Sequence, residues 1–519
     1  MLRSYSRQVL PVSAILLLAA GLRLINLGAG NLWLDEAVEF WAASEKFIRL
    51  FDTTRFTILD PPLYTFFLHF WSLIGVSEFH LRFPSVIFGI LGIAGSIAIG
   101  FELGGEKTGW LAGLLLAVSP ASIRYAQETG QYALMLCLVT WNYYVLILIF
   151  QSERPGWPLY QAWLVLAILA TYTQYVAFFA VVIPFGIHIL MNLLSKDWPQ
   201  FGKRSVILLL YAISLLPLIT YYLPYQLTSA QDQGSLQATF APALGSLFAI
   251  VRFGIHKVSF LFTGYPFTYI PEWIPFGIFA FLLVENLLTI RRASKINRIW
   301  LLYLTGLFVI YSIVSLGDHD PGNYRHGIFL SVALIPYIAQ RLSELSRRGW
   351  KRWLSISLFW GLVSISLISS PQQGVRESIF PDHSWSWPEP FQNFKPAVRY
   401  WIDNSRSDEP IYVYSASVPA FRYYLRLFGE DRCLEDVFEK PCPASRLIAG
   451  EWFRKKPPNV KMKSVKRSIP DGTQSLWLFL SNVYSNEDRI ILKGFGSDYN
   501  ISRQWITQGI QLYHLVRKP

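Results

Sequence analysis

The chain has 519 residues, of which 52% are hydrophobic, 16% aromatic and only 15% charged; a soluble protein carries about a quarter charged residues. Its net charge is +12, but Lys and Arg gather in short loops between apolar stretches, which is the positive-inside pattern of a membrane protein. Composition therefore excludes a soluble fold, argues against nucleic acid as a partner, and makes the lipid bilayer the first partner.

Apolar stretches of roughly twenty residues can cross the bilayer only as helices, because a helix satisfies its own backbone hydrogen bonds. Arg3 and Arg7 precede the run from Val9 to Leu22, which predicts an uncleaved first span with a cytoplasmic N-terminus. Residues 28–82 form a long first outer loop, in which Pro61 to Ile74 is amphipathic and suited to the interface plane. Spans follow over about 83–101, from 110, over 132–150, to about 172, over 176–194 and over 206–223. Gly104-Gly105-Glu106-Lys107 is a tight cytoplasmic turn, and Arg124 to Gln131 a polar outer one.

Residues 224–272 read as a long outer loop of mixed polarity. Further spans run over 273–290, 300–316, 327–345 and 354–370. The expectation is a polytopic α-helical membrane protein of about eleven transmembrane helices. It divides into a membrane domain over 1–370 and a soluble extracytoplasmic domain over 371–519. In the latter, Phe391 to Ile402 predicts an amphipathic helix, Ile411 to Tyr414 a strand and Ala420 to Phe428 a helix; Ser475 to Leu480 and Ile510 to Val516 predict further strands. Strands alternating with helices predict a small α/β domain. Cys433 and Cys442 lie close together there; a disulfide and two free thiols are both open.

The unusual polar residues near the membrane fall on one side. They include Asp35, Glu36, Asp60, Arg82, Arg124, Gln127, Glu128, His256, Lys257, Asp318, Asp320, Arg325 and His326. A solvated loop charge is the simpler account of any one of them. Taken together, with acids beside aromatics, they argue for an outward-facing cavity suited to an anionic substrate and a base. The adjacent carboxylates of Asp35-Glu36, just beyond the first span, are the centre of that set.

The run Leu22-Arg23-Leu24, then Asn31-Leu32-Trp33-Leu34-Asp35-Glu36-Ala37, resembles the first outer loop of the dolichyl-phosphate-mannose protein mannosyltransferase superfamily, glycosyltransferase family 39. It also looks like that of the bacterial relatives that decorate lipid A with aminoarabinose. Asp60-Pro61-Pro62-Leu63-Tyr64 is similar to the family's His-Pro-Pro-Leu-Tyr segment. Ser77 to Ser85, Tyr125 to Ala133 and Tyr324-Arg325-His326 resemble three later stretches. Asp60 stands where relatives usually show His, and Gly130 where many show Arg.

The resemblance implies a C-type (GT-C) glycosyltransferase with a polyprenyl-phosphate-linked sugar donor and a protein acceptor. It implies Asp35 as the base, Glu36 as its orienting neighbour, and Arg82, Arg325, Lys257 and Glu128 around the donor. Asp60, Gln127, Tyr132 and His326 would be further substrate contacts. The phosphate leaving group is already a stable anion, so only the acceptor hydroxyl needs proton transfer. No cofactor is expected: Asp318-His319-Asp320 with His326 matches no specific metal spacing, and the family generally uses none. The sequence leaves open a lipid or glycan acceptor for the same donor. A lipid-linked sugar flippase is the alternative of another class, and would need mid-membrane charges and an internal repeat. Neither is present in the sequence. The expected place is a bacterial inner membrane, with the site on the periplasmic face.

Overall fold

The computed structural model describes residues 2–56, 58–232, 247–264, 270–315, 327–347, 351–369, 393–406, 409–429, 446–450, 465–481, 487–507 and 509–519, with a few single positions between them. Arg325 and His326, the Asp318-His319-Asp320 run, Cys433 and Cys442 lie outside the described residues.

The membrane part is helical. Helix α1 (Leu2–Leu24) leads to three short helices, α2 (Leu34–Ala43), α3 (Phe47–Phe56) and α4 (Leu63–Ser72). Then come α5 (Glu78–Gly104), α6 (Glu106–Val118), α7 (Pro120–Ala126), α8 (Tyr132–Gln151), α9 (Trp157–Thr173), α10 (Ala177–Leu194) and α11 (Trp198–Ser214). A π-helical stretch, Leu218–Tyr222, joins α11 to α12 (Leu223–Asp232). Helices α13 (Leu247–Thr263), α14 (Trp273–Thr289), α15 (Lys295–Ser315), α16 (Ser331–Leu345) and α17 (Lys351–Ile368) complete this part.

Where the sequence predicts about eleven spans, six helices among the described residues are long and apolar enough to cross a membrane. Others are short or broken for identifiable reasons. Pro120 has no N–H to give the carbonyl of Leu116 four residues back, so α6 stops and α7 restarts behind the Ser119 cap. The buried Arg23 guanidinium takes up the freed carbonyls, donating to Leu116 O at 3.4 Å and Ala117 O at 3.0 Å. The tight turn at Gly105 is as expected. Its φ of +83° suits only glycine, and the two helices it joins touch so closely that a Cβ on Gly100 would lie 2.6 Å from Gly109 Cα. The segment expected as a long outer loop over 224–272 contains α13, a helix that packs beside α7, α14 and α17.

Alternate connections meet at opposite ends of the bundle. At one end Gln127 caps the last turn of α1, donating to Arg23 O at 3.0 Å and Ile25 O at 2.9 Å, and Ser119 Oγ donates to Leu261 O at 2.6 Å. At the other, Lys107 Nζ donates to Ser346 Oγ at 2.6 Å and Asn297 Nδ2 to Glu344 Oε1 at 3.1 Å; Arg341 there pairs with Glu285.

The C-terminal part is a five-stranded sheet in the order β2-β1-β3-β5-β4. Its elements are α18 (Phe394–Asn404), β1 (Ile411–Val413), α19 (Val418–Leu427), β2 (Leu447–Ala449), β3 (Ser475–Ser481), α20 (Glu487–Phe495), β4 (Tyr499–Thr507) and β5 (Ile510–Arg517). Strand β1 lies parallel to β2 and β3, whereas β5 is antiparallel to both β3 and β4. The sheet shares a hydrophobic core with the first loop: Leu32, Phe40, Tyr64 and Leu68 are buried with Phe394, Trp401, Phe421, Tyr424 and Phe479. Tyr424 Oη accepts from Leu32 N at 2.8 Å, Tyr423 Oη donates to Val76 O at 2.9 Å, and Lys395 pairs with Glu78 at 2.9 Å.

Candidate active site

The site is built on α2. Leu32 is buried where the chain approaches α2, and the helix that follows carries Asp35, Glu36 and Glu39 within two turns. Residues four apart share a helix face and adjacent ones do not. Asp35 and Glu39 therefore point one way and Glu36 another. Asp35 is half-buried, while Glu36 and Glu39 are buried.

Glu36 is fully occupied. Its Oε1 accepts from Arg82 Nε at 2.7 Å and from Thr129 N at 2.8 Å; its Oε2 accepts from Arg82 Nη2 at 2.6 Å and from Trp33 N at 3.2 Å. The expected catalytic partner of Asp35 is thus a helix cap and half of a buried fork-shaped ion pair. The expectation for Arg82 changes for the same reason. Its remaining N–H groups go to Leu27 O at 3.0 Å, Gly30 O at 2.9 Å and Asn31 O at 2.9 Å. All five donors are spent inside the chain, so none is left for a phosphate. Arg82 holds the loop that delivers Asp35.

Asp60 sits across from α2. Its Oδ2 accepts from Gln131 Nε2 at 2.6 Å, its Oδ1 from Gln174 Nε2 at 2.8 Å, and its backbone oxygen from Gln226 Nε2 at 2.9 Å. Two neutral amides, at the start of α8 and the end of α9, thus converge on one carboxylate, and a third, on α12, holds its backbone. The charges of Asp60 and Asp35 both act on Glu39. Burial, first of all, pushes the Glu39 carboxyl up to about 7; the hydrogen bond from Thr65 Oγ1, at 2.5 Å, opposes this, and the two neighbouring charges add to it. Tyr64, buried on α4, also has its pKa raised by burial, and lies within the field of Glu39, Glu36 and Glu128. Glu128 is buried on the turn before α8.

The other expected contacts divide. Gln127 spends its amide on the end of α1, a structural role. Tyr132 is buried with its ring 4.9 Å from Tyr125, at the same end of the bundle. Lys257 is buried on α13, a helix packed on α7, instead of in an open loop. Glu39, Gln131, Gln174 and Gln226 were not singled out. A spacing of four from Asp35 was the available signal for Glu39; nothing local marks the glutamines. Among the described residues, no group of three or more His, Cys, Asp or Glu is placed to hold a metal ion.

Residues 60–222 match the family model of the dolichyl-phosphate-mannose-protein mannosyltransferases. This stretch carries that family's pattern. It runs from Asp60 through α4 to the π-helical stretch, and so includes the carboxylate where the glutamines converge and the Arg82 staple. Among curated proteins, none matches the chain in sequence. Solved structures do match in fold. ArnT from Cupriavidus metallidurans bound to undecaprenyl phosphate superposes with a TM-score of 0.54 at 12% identity, over 97% of this chain and 97% of that one. The oligosaccharyltransferase of Archaeoglobus fulgidus in complex with Zn and sulfate gives 0.54 at 11% identity, over 96% of this chain and 72% of that one. The same organism's AglB in complex with an inhibitory peptide and a dolichol-phosphate gives 0.52 at 11%, over 92% and 69%. The chain shares the GT-C fold of these glycosyltransferases, and it is an integral membrane protein.

Proposed function

We propose that this protein is an inverting glycosyltransferase that moves a sugar from a polyprenyl-phosphate donor to an acceptor hydroxyl at the outer face of a bacterial inner membrane. The observation that carries the reading is the setting of Asp35. It is the half-buried carboxylate of an adjacent acid pair whose other member, Glu36, is locked to Arg82. A carboxylate so placed accepts the acceptor's proton as the hydroxyl attacks the anomeric carbon. The C1–O bond to phosphate breaks in the same displacement and the phosphate departs as an anion, which inverts the anomeric centre. Lys257 and Arg325 are assigned to the phosphate, and Asp60, Glu128, Tyr132 and His326 to the sugar or acceptor. The reaction so written needs no cofactor.

The membrane domain, 1–370, is proposed to cross about eleven times, with the C-terminal sheet over 371–519 as an extracytoplasmic α/β domain and the N-terminus in the cytoplasm. The shared core between that sheet and α2 supports this arrangement, because it needs both on one side. The acceptor is a protein, lipid or glycan hydroxyl.

The test is donor turnover. Purified protein in nanodiscs is offered a panel of radiolabelled polyprenyl-phosphate sugars with and without acceptors. At least one donor is expected to be consumed, and Asp35→Asn is expected to slow this by about a hundredfold or more. Equal turnover by both proteins removes Asp35 from the mechanism.

A further inference from the structure

A cation outside the family motifs remains. Arg55, on the last turn of α3, has no hydrogen-bond or carboxylate partner among the described residues, and its Nε is buried. Its guanidinium instead lies over the ring of Tyr225 at 3.5 Å and of Tyr221 at 4.2 Å, with Phe56 at 5.0 Å. Stacking engages the faces of a guanidinium and leaves the in-plane N–H edge free to donate. Tyr221 lies in the π-helical stretch Leu218–Tyr222, a backbone irregularity that occurs often at functional sites, and Tyr225 follows on α12.

Two features say what that edge would meet. The surroundings are apolar and exposed, as a lipid-facing surface would be: Leu209, Leu216 and Ile219 are exposed along α11 and the π-helical stretch, and Phe51 and Phe56 on α3. The position is also tied to the site. Gln226 Nε2 donates to Thr54 O at 2.8 Å and to Asp60 O at 2.9 Å, and Gln226 Oε1 accepts from Tyr175 Oη at 2.5 Å. One glutamine side chain therefore bolts the turn carrying Arg55 to the turn carrying Asp60. Arg55 is half-buried with its Nε enclosed, so its Nη edge is reachable by an anionic ligand. A phosphate monoester on a long apolar chain supplies the charge to the guanidinium edge and the chain to the adjoining surface.

We propose that Arg55 is a binding residue for the phosphate of the lipid-linked donor, receiving it from the bilayer at the α3–α12 seam. This rests on the polyprenyl-phosphate reading above. A guanidinium offers the phosphate a fork-shaped donor edge.

Binding, without turnover, tests it. The full chain is placed in phosphatidylcholine nanodiscs and titrated with undecaprenyl phosphate, with the uncharged polyprenol as control. Arg55→Ala is expected to weaken undecaprenyl phosphate roughly tenfold or more and to leave polyprenol unchanged. Arg55→Lys, which keeps the charge and most of the stem, is expected to fall between, and guards against a folding defect in the alanine variant. Equal affinity of wild type and both variants overturns the proposal while leaving the donor reading standing. Competition by phosphatidylglycerol as strong as by undecaprenyl phosphate also overturns it, since Arg55 would then be a general headgroup anchor. A wild type that binds no undecaprenyl phosphate sinks the donor reading and this inference with it.

Discussion

Asp35 and Glu39 leave the same face of α2, and the charge of Asp60, in the next loop, acts on Glu39. A buried carboxyl with negative charge nearby does not ionise cheaply. Glu39 is the most buried of the three and takes the consequence, with its pKa raised to about 7 by burial first and by its neighbours after that. Its unfolded value is about 4.3. A carboxyl whose folded pKa is raised stabilises the fold while protonated. That contribution is complete below the unfolded value and is lost as pH rises through about 7. The wild-type melting temperature in detergent should therefore decline between about pH 5 and pH 8, and Glu39→Gln should flatten the decline because its amide has no proton to lose. Parallel curves for the two proteins would mean that Glu39 does not hold its proton. The sequence did not point to Glu39, since the motif that drew attention to Asp35-Glu36 ends before it. Helical spacing from Asp35 was the only cue.

At the scale of elements, the Glu36–Arg82 pair joins α2 to the N-terminal end of α5, and the same guanidinium gathers the carbonyls of Leu27, Gly30 and Asn31. The sequence shows both residues and gives each a chemical role; it cannot show that each uses up the other, because the pairing spans two elements separated by α3 and α4. A buried pair broken from one side costs about 3–5 kcal/mol, since the other charge is left without its partner. Arg82→Ala should lower stability on that scale. Arg82→Lys should also lose much of it, because an ammonium has three donors for the five filled positions. A phosphate-binding Arg82 would behave differently: the lysine variant would keep its melting temperature and show a raised KM for donor. Thermal melts beside donor kinetics separate the two. The elements themselves were unevenly legible. Helix α4 and strands β1, β3 and β5 follow from amphipathic or apolar patterning. Strand β4 is an edge with most side chains exposed, so no alternation marks it, and β2 is only three residues long. Helix α13 was hidden by the mixed polarity of its surroundings.

At the scale of the molecule, the arrangement of charge anticipates the arrangement of loops. The connections around residues 24–34, 119–131, 174–176 and 218–226 meet at one end of the bundle through Glu36, Asp60, Gln127 and Gln226. The connections rich in Lys and Arg, near 104–107, 289–298 and 345–351, meet at the other through Lys107, Arg341 and Glu344. The grouping of the basic loops at one end was legible because they recur at alternate turns of the sequence. The convergence of three glutamines on Asp60 was not legible, because each sits on or beside a different helix and none carries a charge. The C-terminal sheet adds a constraint of its own. Its α19 buries Tyr423 and Tyr424 against α2 and α4, so the sheet and Asp35 must face the same compartment whatever the number of spans. Ser497, exposed beyond α20, reports that compartment, and Ser294, exposed between α14 and α15, reports the opposite one. In a Cys433→Ala, Cys442→Ala background, Ser497→Cys should react with a membrane-impermeant maleimide added to intact spheroplasts. Ser294→Cys should react only after the membrane is opened. Cys137 is buried and should stay silent in both. Labelling of both sites from outside would break the alternation of loops, and labelling of Ser294→Cys alone would turn the whole protein over, with Asp35 facing a compartment that lacks the proposed acceptor.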